Sequence, residues 1–208
     1  MKSWVGLPAL MGAVLLSTAS HASIISVSSN TSSLGASAQI IAAPSTVEDD
    51  TTTNTAQQGF NEKQTVKLTS DLTLGSQFIA KGTVVDSHMI FFNTVDSSTS
   101  RHNFVEWTFS GDVLSVYKDS GGTEEQATNS MFAAPGTIYP SAFSFRGLEG
   151  GDMVWWIDET LTLTTIVSEP GDWIRVVTDA PEPAMLGVFG IGMLMVGGLS
   201  RRRQKRAL

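Results

Sequence analysis

The chain has 208 residues, with 20 acidic and 13 basic side chains, a net charge of -7 at neutral pH, and no cysteine. An acidic surface repels phosphate backbones, so nucleic acid and anionic membrane surfaces are excluded as partners. Without disulfides, the fold must be stabilised by its core alone. The charge is uneven: residues 23–180 carry a net charge of -12, whereas residues 181–208 carry +4.

The N-terminal 22 residues have the pattern of a secretion signal. Lys2 supplies a positive start, Val5–Leu16 is apolar, and Ser20-His21-Ala22 has the small-x-small pattern of a cleavage site. The apolar part includes Pro8 and is too short to span about 30 Å of hydrocarbon. We therefore predict export, with cleavage after Ala22.

Residues 23–59 are rich in Ser, Thr, Asn, Ala and Gly, and we interpret them as an arm in front of the folded core. The apolar pairs Ile24-Ile25 and Ile40-Ile41 can form edge strands. Residues 44–59 have no apolar period, which predicts a loop or a mobile arm.

Residues 60–180 show the pattern of strands. In residues 104–117, Val105, Trp107 and Phe109 alternate with polar residues, and Ser110-Gly111-Asp112 supplies turn chemistry before Val113, which predicts a hairpin. Similar runs are "QTVKLT", "DLTLG", "GTVVDSHMIFFN", "DMVWWIDE", "TLTLTTIV" and "DWIRVVT". No capped helical period is present, so residues 94–103 and 117–130 are predicted to be rim loops.

About eight to ten short strands with irregular turn spacing predict two packed antiparallel sheets. The expected fold class is all-β, an antiparallel, jelly-roll-like β-sandwich over residues 60–180. A cleaved signal peptide at residues 1–22 and a short C-terminal transmembrane helix flank it.

The tail combines three features in order. Pro181-Glu182-Pro183 is followed by Ala184–Leu199, 16 residues without charge. As a helix they are about 24 Å long, slightly short of a bilayer core, so a transmembrane helix over residues 184–200 is marginal. The basic residues that would then hold the end of the chain in the cytoplasm are Arg201, Arg202, Arg203, Lys205 and Arg206.

This order of triplet, apolar helix and basic end resembles the PEP-CTERM sorting signal of Gram-negative bacteria. The resemblance covers residues 181–208. It implies transient anchoring in the inner membrane, cleavage near Pro-Glu-Pro by an exosortase, and release to the cell surface or matrix of biofilm-forming cells that make exopolysaccharide. "FNEKQ" and "GTVVDSHMIFFN" loosely resemble uncharacterised ectodomains of this class. A plain membrane anchor is the alternative.

Candidate catalytic groups are few. Asp86 and His88 share one face of a strand and can touch, but Ser87 points to the other face, so a Ser-His-Asp triad is not expected. His102 is the one other histidine after the signal, and cysteine is absent, which argues against zinc. We interpret His88 as a structural hydrogen-bonding residue.

The carboxylate pairs Asp49-Asp50, Glu124-Glu125 and Asp158-Glu159 do not suit a glycosidase, because neighbours on a strand point to opposite faces. We interpret them as solvated loops or strand ends. No catalytic residue, metal ligand or cofactor is predicted, although calcium bound by loop carboxylates is left open.

Trp155 and Trp156 are strand neighbours, so one ring can enter the core while the other faces outward. The outer ring is either covered by a loop or by the segment before Phe60, or exposed as a platform for a sugar or a partner surface. Phe91-Phe92 raises the same question.

The sequence thus favours a non-enzymatic, secreted or cell-surface structural protein associated with exopolysaccharide. Other surface proteins are alternative partners. A carbohydrate-binding module that uses the tryptophans is the second hypothesis. A glycan-active enzyme is the third, and it would require a cleft of convergent ionisable groups.

Overall fold

A computed structural model describes residues 22–49, 51–74, 77–94, 99–168 and 171–180. Residues 1–21 of the predicted signal peptide and the whole predicted sorting signal, 181–208, lie outside the described residues. Within the described ranges, no helix is long and apolar enough to cross a membrane.

The described residues are mostly β, with one short helix, as the all-β prediction requires. The strands of the first half are β1 Ile24–Ser28, β2 Gln39–Ile40, β3 Gln58–Asn61, β4 Val66–Lys67, β5 Leu72–Leu74, β6 Gln77–Ile79 and β7 Val84–Phe92. They are followed by β8 Ser100–Phe109, β9 Val113–Tyr117, α1 Thr123–Phe132, β10 Met153–Ile157, β11 Thr160–Val167 and β12 Asp172–Asp179.

The strands form three sheets. One has four antiparallel strands in the order β1-β8-β11-β10. The second has six strands, in the order β2-β3-β7-β12-β9 with β4 also paired to β7, and the third is the pair β5-β6. The expectation of purely antiparallel pairing is wrong at one edge, because β2 pairs with β3 in parallel.

The predicted hairpin over residues 104–117 does not form. β8 lies in the four-stranded sheet and β9 in the six-stranded sheet, so the turn at Ser110-Gly111-Asp112 carries the chain from one sheet to the other. A Cβ on Gly111 would lie 2.2 Å from the Asp179 carbonyl oxygen, which explains the glycine. Turn chemistry predicts where the chain reverses but not which strand it then pairs with.

The two larger sheets share a hydrophobic core. Alternate residues of β8 and β11, among them Trp107 and Leu161, are fully buried against Ile174 and Val176 of β12. The other core members are Ile24, Ala38, Ile90, Val105, Phe109, Val113, Val116 and Leu163. The period of two in these strands places one apolar row of each sheet in a common interior.

The six-stranded sheet is buried on its second face as well. There, Met89 and Phe91 of β7 and Trp173 of β12 pack with Phe60 and Val47. Both faces of β7 and β12 are therefore dry, which is why their sequences read as nearly continuous apolar runs.

Helix α1 occupies part of the segment predicted to be a rim loop. It follows Gly122, whose φ is 64°, and the Asp119 carboxylate accepts hydrogen bonds from the backbone N–H groups of Thr123 and Glu124 at 2.7 and 3.1 Å. Its buried residues are Glu125, Thr128 and Phe132. Because two of these three are polar, the sequence shows no apolar helical period.

The segment predicted to be a loop or mobile arm packs against the sheets. Val47 is fully buried, and its carbonyl oxygen accepts hydrogen bonds from Asn93 Nδ2 at 2.9 Å and Trp173 Nε1 at 3.0 Å. Gln57 is also fully buried, and its Oε1 accepts a bond from Trp107 Nε1 at 3.1 Å. These polar anchors carry no apolar pattern, so the sequence did not reveal them.

Candidate functional site

The outer face of the four-stranded sheet carries an exposed apolar row. Along β10, Met153 is 46%, Trp155 46% and Ile157 72% exposed. Val154 and Trp156 point inward and pack against the core shared by the two sheets. β10 is an edge strand of its sheet, so this row stands at the rim of the outer face.

Strand register sets polar residues beside this row. Trp155 lies opposite Thr162, which lies opposite Glu106 on β8. Ile157 is in the same way opposite Thr160. Since paired residues of adjacent strands point to the same side, hydroxyl groups and a carboxylate lie next to the exposed rings.

A second aromatic ring joins Trp155. Phe104 of β8 is 55% exposed, and its ring meets that of Trp155 edge-on at a centroid distance of 6.2 Å. Its φ is 52°, an uncommon conformation for a bulky residue, at a point where the pairing of β8 with β11 shifts between Leu163 and Thr165. The irregular backbone thus presents the ring outward.

We call this surface the aromatic face. It consists of Phe104, Met153, Trp155 and Ile157, with the adjoining side chains of Glu106, Thr160 and Thr162. It can stack a flat apolar surface on its rings while hydroxyl groups hydrogen-bond the edges of the ligand. An open pocket of about 490 Å³ adjoins it, lined by Lys118, Leu148, Glu149, Asp152, Met153, Val154 and Trp155.

Of the two predicted platform residues, Trp155 is the outward ring and Trp156 the inward one. The Lys118 ammonium lies 5.9 Å from the centroid of the Trp156 ring. The segment before Phe60 does not cover Trp155, which keeps 46% of its surface exposed. Phe91 and Phe92 are both buried, so that pair forms no platform.

The residues considered for a triad point to different partners. His88 is buried between Asn61 Oδ1 and Thr178 Oγ1, at 2.9 and 3.1 Å from its ring nitrogens, and burial lowers its pKa to about 3. Ser87 points to the opposite face, as predicted, and its hydroxyl donates to Glu62. Asp86 accepts hydrogen bonds from the backbone N–H groups of Ala22 and Thr65.

His102 is also held by structural contacts. Its Nε2 lies 2.8 Å from the Asn30 carbonyl oxygen, and its Nδ1 accepts a hydrogen bond from the Gln57 N–H at 3.2 Å. Burial lowers its pKa, and the hydrogen bond to Asn30 opposes that shift. The ring therefore connects β8 to the loop that contains Asn30 and to the loop that contains Gln57.

The carboxylate pairs are placed differently from one another. Asp158 and Glu159 are exposed in the turn between β10 and β11, as predicted. Glu125 is 2% exposed and lies 2.6 Å from Arg146, so its assignment to a solvated loop was wrong. Asp50 lies outside the described residues.

The sequence did not point to a buried ionic cluster on the second face of the six-stranded sheet. Arg175 of β12 makes two bonds to the Glu62 carboxylate, Nε to Oε2 at 2.6 Å and Nη2 to Oε1 at 2.8 Å. It also donates to the Glu125 carbonyl oxygen and the Thr128 hydroxyl of α1. A basic residue inside the apolar run of β12 was the available signal.

A further group of ionisable residues has the composition of a cation site. Carboxylate oxygens of Glu149, Asp152 and Asp172 lie within 4.8 Å of one another, one from each residue. None of the three was singled out from the sequence, because Asp172 is far from the other two along the chain. The Gly150-Gly151 pair between Glu149 and Asp152 was the only local sign of a tight turn.

Comparison of the chain with protein-family models, with curated proteins and with solved structures found no match.

Proposed function

We propose that this protein is a secreted or cell-surface matrix protein that is exported by its N-terminal signal and processed at its C-terminal tail by an exosortase. The order of Pro181-Glu182-Pro183, an uncharged apolar stretch and a basic end carries this proposal. On this proposal the chain is anchored transiently in the inner membrane and then released into an exopolysaccharide-rich matrix. The acidic residues 23–180 face outward during that step.

The proposed fold of the exported part is a jelly-roll-like β-sandwich. Support comes from the core that the four-stranded and six-stranded sheets share, including Trp107 from one sheet and Val176 from the other. Such a fold suits a matrix protein because its core stabilises it without disulfides, which the chain lacks.

Processing is tested by the C-terminal mass of the exported protein. We expect loss of the residues after the Pro-Glu-Pro triplet in cells with the exosortase, and an intact Leu208 in cells without it. Alanine at Pro181-Glu182-Pro183 should also keep the tail attached. Alanine at Glu169-Pro170, a second Glu-Pro pair, is the matched control and should be processed normally. An exported wild-type protein that retains Leu208 would contradict the proposal.

The aromatic face supports a second candidate function, binding of a matrix polysaccharide. Trp155 and Phe104 are large, exposed and in contact with each other, and they lie beside Thr162 and Glu106. Pyranose rings have apolar faces and hydroxyl edges, which match this combination of groups. The ionisable groups considered for catalysis are dispersed, with His88 in the interior and Asp158-Glu159 in an exposed turn, and this favours binding over hydrolysis.

The binding function is tested by retention of the protein on exopolysaccharide from its host. Trp155→Ala should weaken retention about tenfold or more, equivalent to about 1.4 kcal/mol, because the stacking surface is lost. Phe78→Ala is the matched control, since Phe78 is 63% exposed but lies on β6 in the two-stranded sheet. Equal retention of the Trp155 variant and the wild type would refute a role for the aromatic face.

A further inference from the structure

The carboxylates of Glu149, Asp152 and Asp172 meet where the two larger sheets approach each other. Glu149 and Asp152 belong to the turn that leads into β10 of the four-stranded sheet. Asp172 is the first residue of β12 in the six-stranded sheet, on the same side of the strand as Ile174 of the shared core. The cluster therefore connects one sheet to the other.

Two of these carboxylates have oxygens without a partner. Asp172 is 2% exposed, and neither of its carboxylate oxygens has a hydrogen-bond partner among the described residues. Glu149 Oε2 is buried and unpartnered in the same sense. Buried polar atoms are nearly always paired, so an unpaired, ionisable carboxylate aimed at two others requires an explanation.

Asp152 is held in place by its neighbours. Its Oδ2 accepts a hydrogen bond from the Glu149 N–H, and its Oδ1 accepts one from the Ile166 N–H of β11, both at 2.7 Å. Each oxygen keeps a second lone pair. The glycines next to the cluster have positive φ, 124° at Gly151 and 95° at Gly171. The backbone on both sides of the cluster therefore has a conformation that residues with a side chain rarely adopt.

Burial and mutual repulsion make negative charge costly within the cluster. Burial, followed by the fields of Asp152 and Glu149, raises the pKa of Asp172 to about 9. Burial and then Asp152 raise the pKa of Glu149 to about 7. Three carboxylates at this separation repel one another unless a proton or a cation is bound among them.

We propose that Glu149, Asp152 and Asp172 bind one calcium ion between the two sheets. Oxygens that share a calcium ion at 2.3–2.6 Å can be at most about 5 Å apart, and the three carboxylates meet this limit with oxygens within 4.8 Å of one another. Water or backbone oxygens would complete the coordination shell.

The donor set selects among divalent cations. Zinc prefers nitrogen and sulfur ligands, and this cluster offers only carboxylate oxygen. Magnesium demands near-ideal octahedral geometry and is usually bound through one or two carboxylates with several waters, whereas three carboxylates converge here. Calcium accepts irregular, mono- or bidentate carboxylate ligands and fits the cluster best.

The test is calorimetric titration of the purified full chain, dialysed against EDTA, with calcium chloride. We expect one saturable site per chain, with a dissociation constant on the order of 10⁻⁴ to 10⁻³ M, as in extracellular calcium modules. Calcium at about 10 mM should raise the midpoint of thermal unfolding by about 5 °C, because the ion binds the folded state. Magnesium should give a clearly smaller shift.

Variants separate binding from structure. Asp172→Asn should abolish the calcium response and leave the metal-free protein at least as stable as the wild type, since the amide is neutral without having to bind a proton. Glu149→Gln, in a half-buried turn, should weaken calcium binding at least tenfold. It provides the test if Asp172→Asn does not fold. Asp158→Asn, in an exposed turn, is the control and should respond like the wild type.

Several results would overturn the assignment. The absence of saturable heat and of a thermal shift in the wild type would do so, as would an unchanged calcium response in Asp172→Asn. An equal response to magnesium would overturn the choice of calcium. These readouts depend neither on the tail nor on polysaccharide binding, so they can fail while the proposed function stands.

Discussion

At the scale of single residues, His88 shows how burial fixes a charge state. The ring is fully buried, its two nitrogens face Asn61 and Thr178, and it lies 4.8 Å from the ring of Phe109. A proton on this ring would be a charge in an apolar environment, so burial lowers its pKa to about 3. The sequence identified a structural histidine, but not these partners, because they come from three other strands.

His88 should make folding sensitive to acid. Its pKa is 6.5 in the unfolded chain and about 3 in the folded one, so between these values the unfolded state binds a proton that the folded state rejects. The free energy of unfolding should therefore fall as the pH falls through this window, by up to about 1.4 kcal/mol per pH unit.

The measurement is urea unfolding of the wild type and His88→Gln at a series of pH values. Glutamine can hydrogen-bond Asn61 and Thr178 but does not titrate. Between pH 6.5 and 5 the wild type should lose about 1.6 kcal/mol more than the variant. The raised pKa values of Glu125, Glu149 and Asp172 act in the opposite direction in both proteins, so the difference isolates His88. Parallel curves would contradict this assignment.

At the scale of elements, helix α1 packs on the buried guanidinium group of Arg175. Its inward residues Glu125 and Thr128 contact Arg175 rather than an apolar surface, and the same arginine pairs with Glu62. Hydrogen bonds to this side chain of β12 and the pairing of Glu125 with Arg146 hold the middle of the helix, while Phe132 at its end is buried in an apolar cluster. This arrangement explains why strand patterns were recognisable from the sequence while the helix was not.

Removal of Arg175 should be costly. Arg175→Ala leaves the Glu62 carboxylate buried without its charged partner, and we expect the free energy of unfolding to fall by about 3–5 kcal/mol in denaturant titrations. Arg101→Ala is the control, because Arg101 is exposed on β8, and it should change stability by less than about 0.5 kcal/mol. Replacement of Arg175 by methionine together with Glu62 by leucine should recover much of the loss. A loss below about 1 kcal/mol for Arg175→Ala would rule out this role.

At the scale of the whole molecule, local sequence patterns predicted where strands form but not which distant strands pair with one another. Short apolar or alternating runs bounded by turn residues located β8, β10, β11 and β12, because each run depends only on its own residues. The separation of β8 and β9 into different sheets depends on β12, which lies far along the chain. The carboxylates of Glu149 and Asp172 likewise come together only because the two larger sheets pack against each other. Of the aromatic face, the two tryptophans were predicted as alternatives, whereas the contribution of Phe104 was not predicted.

The burial of Ala22 has a consequence for timing. Ala22 is fully buried two residues before β1, and its N–H group donates to the buried carboxylate of Asp86. A protease acts on exposed, extended chain, so a peptide bond next to a residue in this position is inaccessible once β1 has docked on β8. If the signal peptide is removed after Ala22, cleavage must precede closure of the sheet. The cut then comes before folding, and it also removes Ala22 and its hydrogen bond to Asp86 from the mature chain.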